Sequence, residues 1–265
     1  MTDFTYKLLP LIAARGLNKT YQTKSGEDVV ALSDVTLDIR DGEFVSVVGP
    51  SGCGKSTLMK IMSGLLSYTS GEIHIAGRKV KGPDPKVGLV FQSPNLLPWR
   101  TILQNVCFPV ELQKGKSGVD LARARDLLAM AGLSGFEGRY PHELSGGMQQ
   151  RAAIVRALVQ DPKLLLMDEP FGALDAMTRE VMNVELLRIW QEHKKTVVFI
   201  THSIPEAVFL SDRVIAMTPR PGKIAEIIDI DLPRPRGLDV IGSAKFGQYA
   251  NHLRKLLNAT EDIAG

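Results

Sequence analysis

The segment GPSGCGKS, Gly49 to Ser56, sets three glycines, two serines and a lysine between two apolar runs. Glycines at this density let consecutive backbone N–H groups turn inward, an arrangement that cradles an anion. The spacing G-x-x-x-x-G-K-[ST] falls on Gly49, Gly54, Lys55 and Ser56, a pattern that needs a strand before it and a helix after it. FVSVV (Phe44 to Val48) reads as the strand, and STLMKIMSGLL has helical spacing ending near Gly64. In that setting Pro50, Ser51, Gly52 and Cys53 form the turn of a phosphate-binding loop, and Ser56 and Thr57 stand at the positive end of the helix. Lys55 supplies charge for β- and γ-phosphate oxygens, and the Ser56 hydroxyl suits a Mg²⁺ ion.

A second segment, LLLMDEP (Leu164 to Pro170), puts Asp168 at the end of a buried strand, where its carboxylate suits the Mg²⁺ hydration shell. Glu169 follows directly. A carboxylate beside a γ-phosphate orients or deprotonates a water, which is hydrolysis chemistry and not transfer to a bound acceptor. A third segment, LSGGMQQR (Leu144 to Arg151), places Ser145, Gly146 and Gly147 at another helix start, this one without a lysine. One bound nucleotide does not need two such helix starts.

With these segments in hand, the chain resembles the ATP-binding cassette ATPases over roughly residues 12 to 235, and LSGG reads as their signature. The resemblance implies ATP and Mg²⁺ as ligands and a head-to-tail dimer in which one copy's signature closes over the ATP held by the other. It assigns Tyr21 to stacking on adenine, Gln92 to sensing Mg²⁺ and the attacking water, and His202 to the γ-phosphate. GALD, ending at Asp175, becomes the loop joining the two active sites. Met148 departs from the glutamine most common in the signature. SPNLLPWRTILQNV, FGALDAMTRE and MTPRPGKI are similar to segments of the importer ATPases for nitrate, sulfonate, taurine and related solutes, pyrimidine precursors included. The implied partners are a second copy of the chain, transmembrane permease subunits and, indirectly, a solute-binding protein. The implied place is the cytoplasmic face of the inner membrane, as a peripheral subunit. Leu96, Leu97 and Trp99, after Gln92, are the apolar candidates for permease docking. The alternatives are a soluble P-loop kinase and a nucleic-acid-stimulated ATPase of the same type.

The elements that must position these residues alternate strand with helix. VGLVF, KLLLMD and TVVFIT are continuous apolar runs, suited to parallel strands covered on both faces. The expected fold is α/β: a P-loop ATPase core with a mostly parallel sheet, an antiparallel β subdomain and an inserted α-helical subdomain near residues 93–160. The nucleotide-binding domain is expected over 1–237, and a short helical tail over 238–265. A net charge of +3 and 6% aromatic residues give no basic or stacking surface for nucleic acid. The apolar patch Leu8 to Ala14 is far short of the ~20 residues that span a bilayer, so a soluble intracellular chain is expected. Two cysteines form no disulfide framework. Cys53, near Lys55 and a helix start, is expected to be the reactive one, with a lowered pKa; Cys107, in an apolar stretch, the slower.

Overall fold

Strands with no polar face form the centre. In the computed structural model, which describes residues 10–23, 26–172 and 174–262, β3 (Phe44–Val48), β6 (Val87–Val90), β7 (Leu164–Asp168), β8 (Thr196–Ile200), β9 (Arg213–Met217) and β10 (Ile224–Asp229) make a six-stranded sheet. Its order is β10-β9-β3-β8-β7-β6, and every neighbouring pair is parallel except β9 with β10. β1 (Ile12–Gln22), β2 (Asp28–Ile39), β4 (Ser70–Ile75) and β5 (Arg78–Lys79) form an antiparallel sheet in the order β2-β1-β4-β5. Both sheets were expected from the sequence. Of the patch Leu8 to Ala14, Leu8 and Leu9 lie outside the described residues, and Ile12 to Ala14 open β1.

The alternation of side chains along the central strands divides the core in two. Phe44, Val48, Leu165, Met167, Val197 and Phe199 join one apolar cluster, under the helices α2 (Ile102–Lys114), α3 (Leu121–Met130), α4 (Gly146–Leu158), α5 (Ala176–His193), α6 (Ile204–Leu210) and α7 (Ala244–Asp262). Val45, Val47, Leu164, Leu166, Val198 and Ile200 join the other. There α1 (Lys55–Met62) buries Leu58, Met59, Ile61 and Met62 together with Ile12, Leu17, Leu37 and Ile73 of the antiparallel sheet. The helix after the glycine-rich loop is therefore gripped from both sides, which fixes where its first turn points.

Helices α2, α3 and α4 lie between β6 and β7 in the chain. The C-terminal segment is tied down by Arg236, buried, whose guanidinium donates to the carbonyls of Val208, Phe209, Ser211, Ile230 and Leu232. Burial lowers its pKa to about 10. Helix α7 buries Phe246, Ala250 and Leu253 against the main cluster, so the helical tail packs onto the body. Among the described residues no helix is long and apolar enough to cross a membrane.

Candidate active site

The loop between β3 and α1 turns through positive φ at Gly52 (74°) and Gly54 (101°). A Cβ on Gly54 would meet Leu32 Cδ2 at 2.7 Å and the Ala31 carbonyl at 2.9 Å, so only glycine fits where the helix begins. Gly54 is the N-cap and offers no side-chain cap, so the first N–H groups of α1 stay available to an anion. Lys55 is buried, and its Nζ donates to the carbonyls of Gly49 (2.8 Å) and Pro50 (2.9 Å). Ser56 Oγ donates to Asp168 Oδ1 at 3.1 Å, across from the end of β7 to the start of α1. Burial pushes the Asp168 carboxyl above the usual range, against the hydrogen bond from Ser56. These two oxygens fit Mg²⁺, a hard cation held by one or two protein oxygens with phosphates and waters completing its shell.

Glu169 sits in the left-handed region (φ 43°), held by its N–H donating to the Ile200 carbonyl and by its own carbonyl accepting from Gly172 N–H. A strained non-glycine at a strand end marks a position specified by its surroundings. Its Oε2 lies 3.1 Å from Nδ1 of His202, which follows β8. Gln92 and Glu169 both flank Gly172: a Cβ there would lie 3.2 Å from Gln92 Nε2 and 3.6 Å from Glu169 Oε2. Tyr21, near the end of β1, is exposed, and its hydroxyl is 3.3 Å from Thr57 Oγ1. Tyr21, Ser51, Gly52, Gly54, Lys55, Ser56, Thr57, Glu169 and His202 line one cavity of about 410 Å³, in the size range of small-molecule sites.

The other sequence-identified residues stand apart from this cavity. Ser145 caps α4, its Oγ accepting from Met148 N–H at 3.3 Å, and Ser145 and Gly146 are exposed. Met148 packs its side chain toward the core, which accounts for an apolar residue there. Asp175 caps α5, accepting from Thr178 N–H (3.0 Å) and Thr178 Oγ1 (2.6 Å), and these bonds hold its carboxyl below the usual range. Ala173 of GALD lies outside the described residues.

Cys53 corrects the sequence reading. Its side chain is fully buried beneath the loop, and burial raises its pKa; Lys55, with Nζ 3.8 Å from Sγ, opposes that and loses. Desolvation outweighs a lysine already committed to two carbonyls, so Cys53 is a packing residue. Cys107 is buried as well, with its pKa raised for the same reason. The docking candidates also separate: Leu96 packs against the core and Leu97 is half-buried, whereas Trp99 is 71% exposed.

Several positioning side chains carry no sequence signal. Asn105, fully buried, accepts from Leu97 N–H and donates to the carbonyls of Leu97, Arg100 and Thr101, shaping the loop after Gln92. From α4, Gln150 donates to the Phe91 carbonyl (3.0 Å), and Arg156 donates to Pro94 (2.7 Å) and Asn95 (2.6 Å) on the same loop. Arg179 donates to the carbonyls of Phe171 and Leu174 and lies 3.6 Å from Glu206. Glu206, whose pKa burial raises, accepts from the Thr201 hydroxyl next to His202. Each is a lone polar residue bonded to backbone or to a buried partner, and no spacing rule picks it out.

Comparison with known proteins gives the same picture. The family model described as ABC transporter matches residues 32–172. An uncharacterized ABC transporter ATP-binding protein of Methanocaldococcus jannaschii is 49% identical over 238 residues, 90% of this chain and 87% of that one. A taurine import ATP-binding protein of Rhizobium johnstonii is 43% identical over 248 residues, 92% of this chain and 95% of that one. Among solved structures, a dimeric ATP-binding cassette in a post-hydrolysis state with ADP and Pi superposes with a TM-score of 0.72 at 36% identity, over 86% of this chain and 100% of that one.

Proposed function

This chain belongs to the ABC transporter family as an ATP-hydrolysing cassette, and on that premise we propose that it powers import of a small sulfonate-like solute through a separate permease. The observation that carries the mechanism is one juxtaposition: Glu169 and His202, 3.1 Å apart, on the wall of the cavity that the uncapped start of α1 also lines. In this reading the phosphates of ATP take the N–H groups that Gly54 leaves free. Lys55 exchanges its loop carbonyls for phosphate oxygens, which are the stronger, charge-assisted partners. Ser56 and ionised Asp168 would hold Mg²⁺, which would supply charge neutralisation to the phosphates, and Gln92 would reach the same ion and the attacking water. Glu169 accepts that water's proton, and His202 steadies the γ-phosphate. Tyr21 stacks on adenine.

Ser145, Gly146 and Gly147 close over the ATP of a second copy, with Asp175 at the junction of the two sites. The nucleotide-binding domain spans 1–237, with its helical insertion near 93–160. Exposed Trp99, on the loop behind Gln92, meets the permease at the cytoplasmic face of the membrane, where a solute-binding protein delivers the cargo from the other side. The taurine import relative supports a sulfonate over nitrate or a pyrimidine precursor.

The test is the permease-bound complex in proteoliposomes. ATP should be converted to ADP and free phosphate, faster with taurine and its binding protein. A phosphorylated acceptor would make this a kinase, stimulation by DNA alone would make it a nucleic-acid ATPase, and a response to nitrate alone would reassign the solute. Trp99→Ala should keep the subunit's melting temperature and lose permease co-purification.

A further inference from the structure

Between β9 and β10 the chain reads TPRPGK, Thr218 to Lys223, a segment that the hydrolytic site as described leaves without a role. Its backbone is locked. The Thr218 hydroxyl lies within hydrogen-bond distance of the Pro219 and Pro221 carbonyls and accepts from Lys223 N–H at 3.0 Å, while Thr218 N–H donates to the Lys223 carbonyl at 2.9 Å. Gly222 docks the turn onto β2: its N–H donates to the Ala31 carbonyl and its carbonyl accepts from Ser33 N–H, both at 3.0 Å. It also presses on the phosphate loop, since a Cβ on Gly222 would lie 1.9 Å from the Cys53 carbonyl. The turn is therefore fixed relative to the loop that binds phosphate.

That fixed turn presents Arg220 to the nucleotide cavity, whose wall it shares with Tyr21, Gly52 and Lys55. The guanidinium nitrogen Nη2 lies 3.7 Å from where a Gly52 Cβ would be, over the glycine-rich loop. Among the described residues Arg220 has no hydrogen bond or ion pair. Lys55, Arg220 and an uncapped helix N-terminus thus meet in one cavity, where among the described lining residues the one carboxylate is Glu169, 3.1 Å from His202, with Asp168 behind Ser56. Arg220, with no carboxylate partner of its own, leaves a positive charge on this wall that favours an anion, and arginine presents several donors to phosphate oxygens at once.

We propose that Arg220 is a further nucleotide-binding residue, contacting the phosphate chain alongside Lys55. The inference rests on the nucleotide reading of the cavity. Titration calorimetry of the full chain with adenosine, ADP and ATP in Mg²⁺ buffer tests it. Arg220→Ala should weaken ADP and ATP about tenfold or more, the scale of a charged hydrogen bond, and leave adenosine unchanged. Arg220→Lys should recover part of the loss. Lys223→Ala, which removes the same charge from the same turn outside the cavity, should leave all three affinities unchanged. As an exposed residue, Arg220 should be replaceable by Ala with no change in the ligand-free melting temperature. Unchanged ADP and ATP affinity in Arg220→Ala overturns the proposal, as does an equal loss with adenosine or with Lys223→Ala. A wild-type chain that binds no ATP would instead remove the nucleotide reading beneath it.

Discussion

Helices α1 and α4 both begin on glycine-rich turns, and neither has an acidic residue in its first turn to neutralise the helix's positive end. They differ in how the first N–H groups are satisfied. Helix α1 starts from Gly54 with no side-chain cap, walled by Ala31 and Leu32 and lining a cavity. Helix α4 starts from Ser145, whose hydroxyl occupies the Met148 N–H, and a Cβ on Gly146 would meet nothing. An open helix start is stable where the surrounding fold holds it and a ligand is always within reach. A helix start on bare surface satisfies itself with a serine cap, worth about 1 kcal/mol. In the proposed dimer, one is a site within the chain and the other is half of a site between chains.

The sharpest test of that distinction is Glu169→Gln. Hydrolysis should fall about 10²–10⁴-fold, the worth of a general base, while ATP still binds at α1 and draws two copies together through α4. Light scattering with and without ATP reads the dimer, and a variant that binds ATP yet stays monomeric would break the comparison. Next in size, Gly146→Asp puts a carboxylate where, in the proposed dimer, the partner's phosphate arrives. Turnover should fall tenfold or more, since opposing like charges cost several kcal/mol. ATP affinity of the dilute monomer and its melting temperature should stay as they are.

Gly54→Ala should do the reverse to the fold. The new methyl meets Leu32 and the Ala31 carbonyl at φ 101°, a strain of about 1–3 kcal/mol, so calorimetry should show a lowered melting temperature before any nucleotide is added. The smallest effect concerns pH. Asp168 has its carboxyl pKa raised in the fold, chiefly by burial. Its contribution is therefore fully present below the ordinary carboxylate pKa and is lost as pH rises through the raised value. Asp168→Asn should match wild type in acid and melt higher at neutral pH, by about 2–4 °C for each kcal/mol relieved. Glu206, raised likewise, keeps part of the pH dependence in the variant. A gap that narrows with rising pH would contradict the burial of Asp168.

What the sequence makes legible follows from what each feature depends on. Gly49, Gly54, Lys55 and Ser56 are readable because a phosphate loop needs fixed residue types at fixed spacing. β7 and β8 are readable because strands buried on both faces run as unbroken apolar stretches, Leu164 to Met167 before Asp168 and Val197 to Ile200 before Thr201. Cys53 misleads because its position beside Lys55 is local, whereas its burial comes from the core cluster it joins, with Met217 from a distant strand. Asn105, Arg156 and Arg179 are invisible for a related reason: each bonds to backbone carbonyls, and a carbonyl leaves no mark in the sequence. Trp99 and Leu97 are indistinguishable as apolar residues in one loop until Asn105 folds that loop and turns only Trp99 outward.

The bonds from Gln150 to Phe91 and from Arg156 to Pro94 and Asn95 have a further consequence. They fasten the body of α4 to the stretch that carries Gln92 and Trp99. In the proposed dimer, one rigid piece then reports on three things at once: the nucleotide of its own copy, the nucleotide of its partner and the permease. Coupling through such a piece obeys thermodynamic reciprocity. If a loaded permease makes this subunit bind its twin tenfold more tightly, the twin must make it bind the loaded permease tenfold more tightly, so the transport cycle has no preferred direction until hydrolysis supplies one.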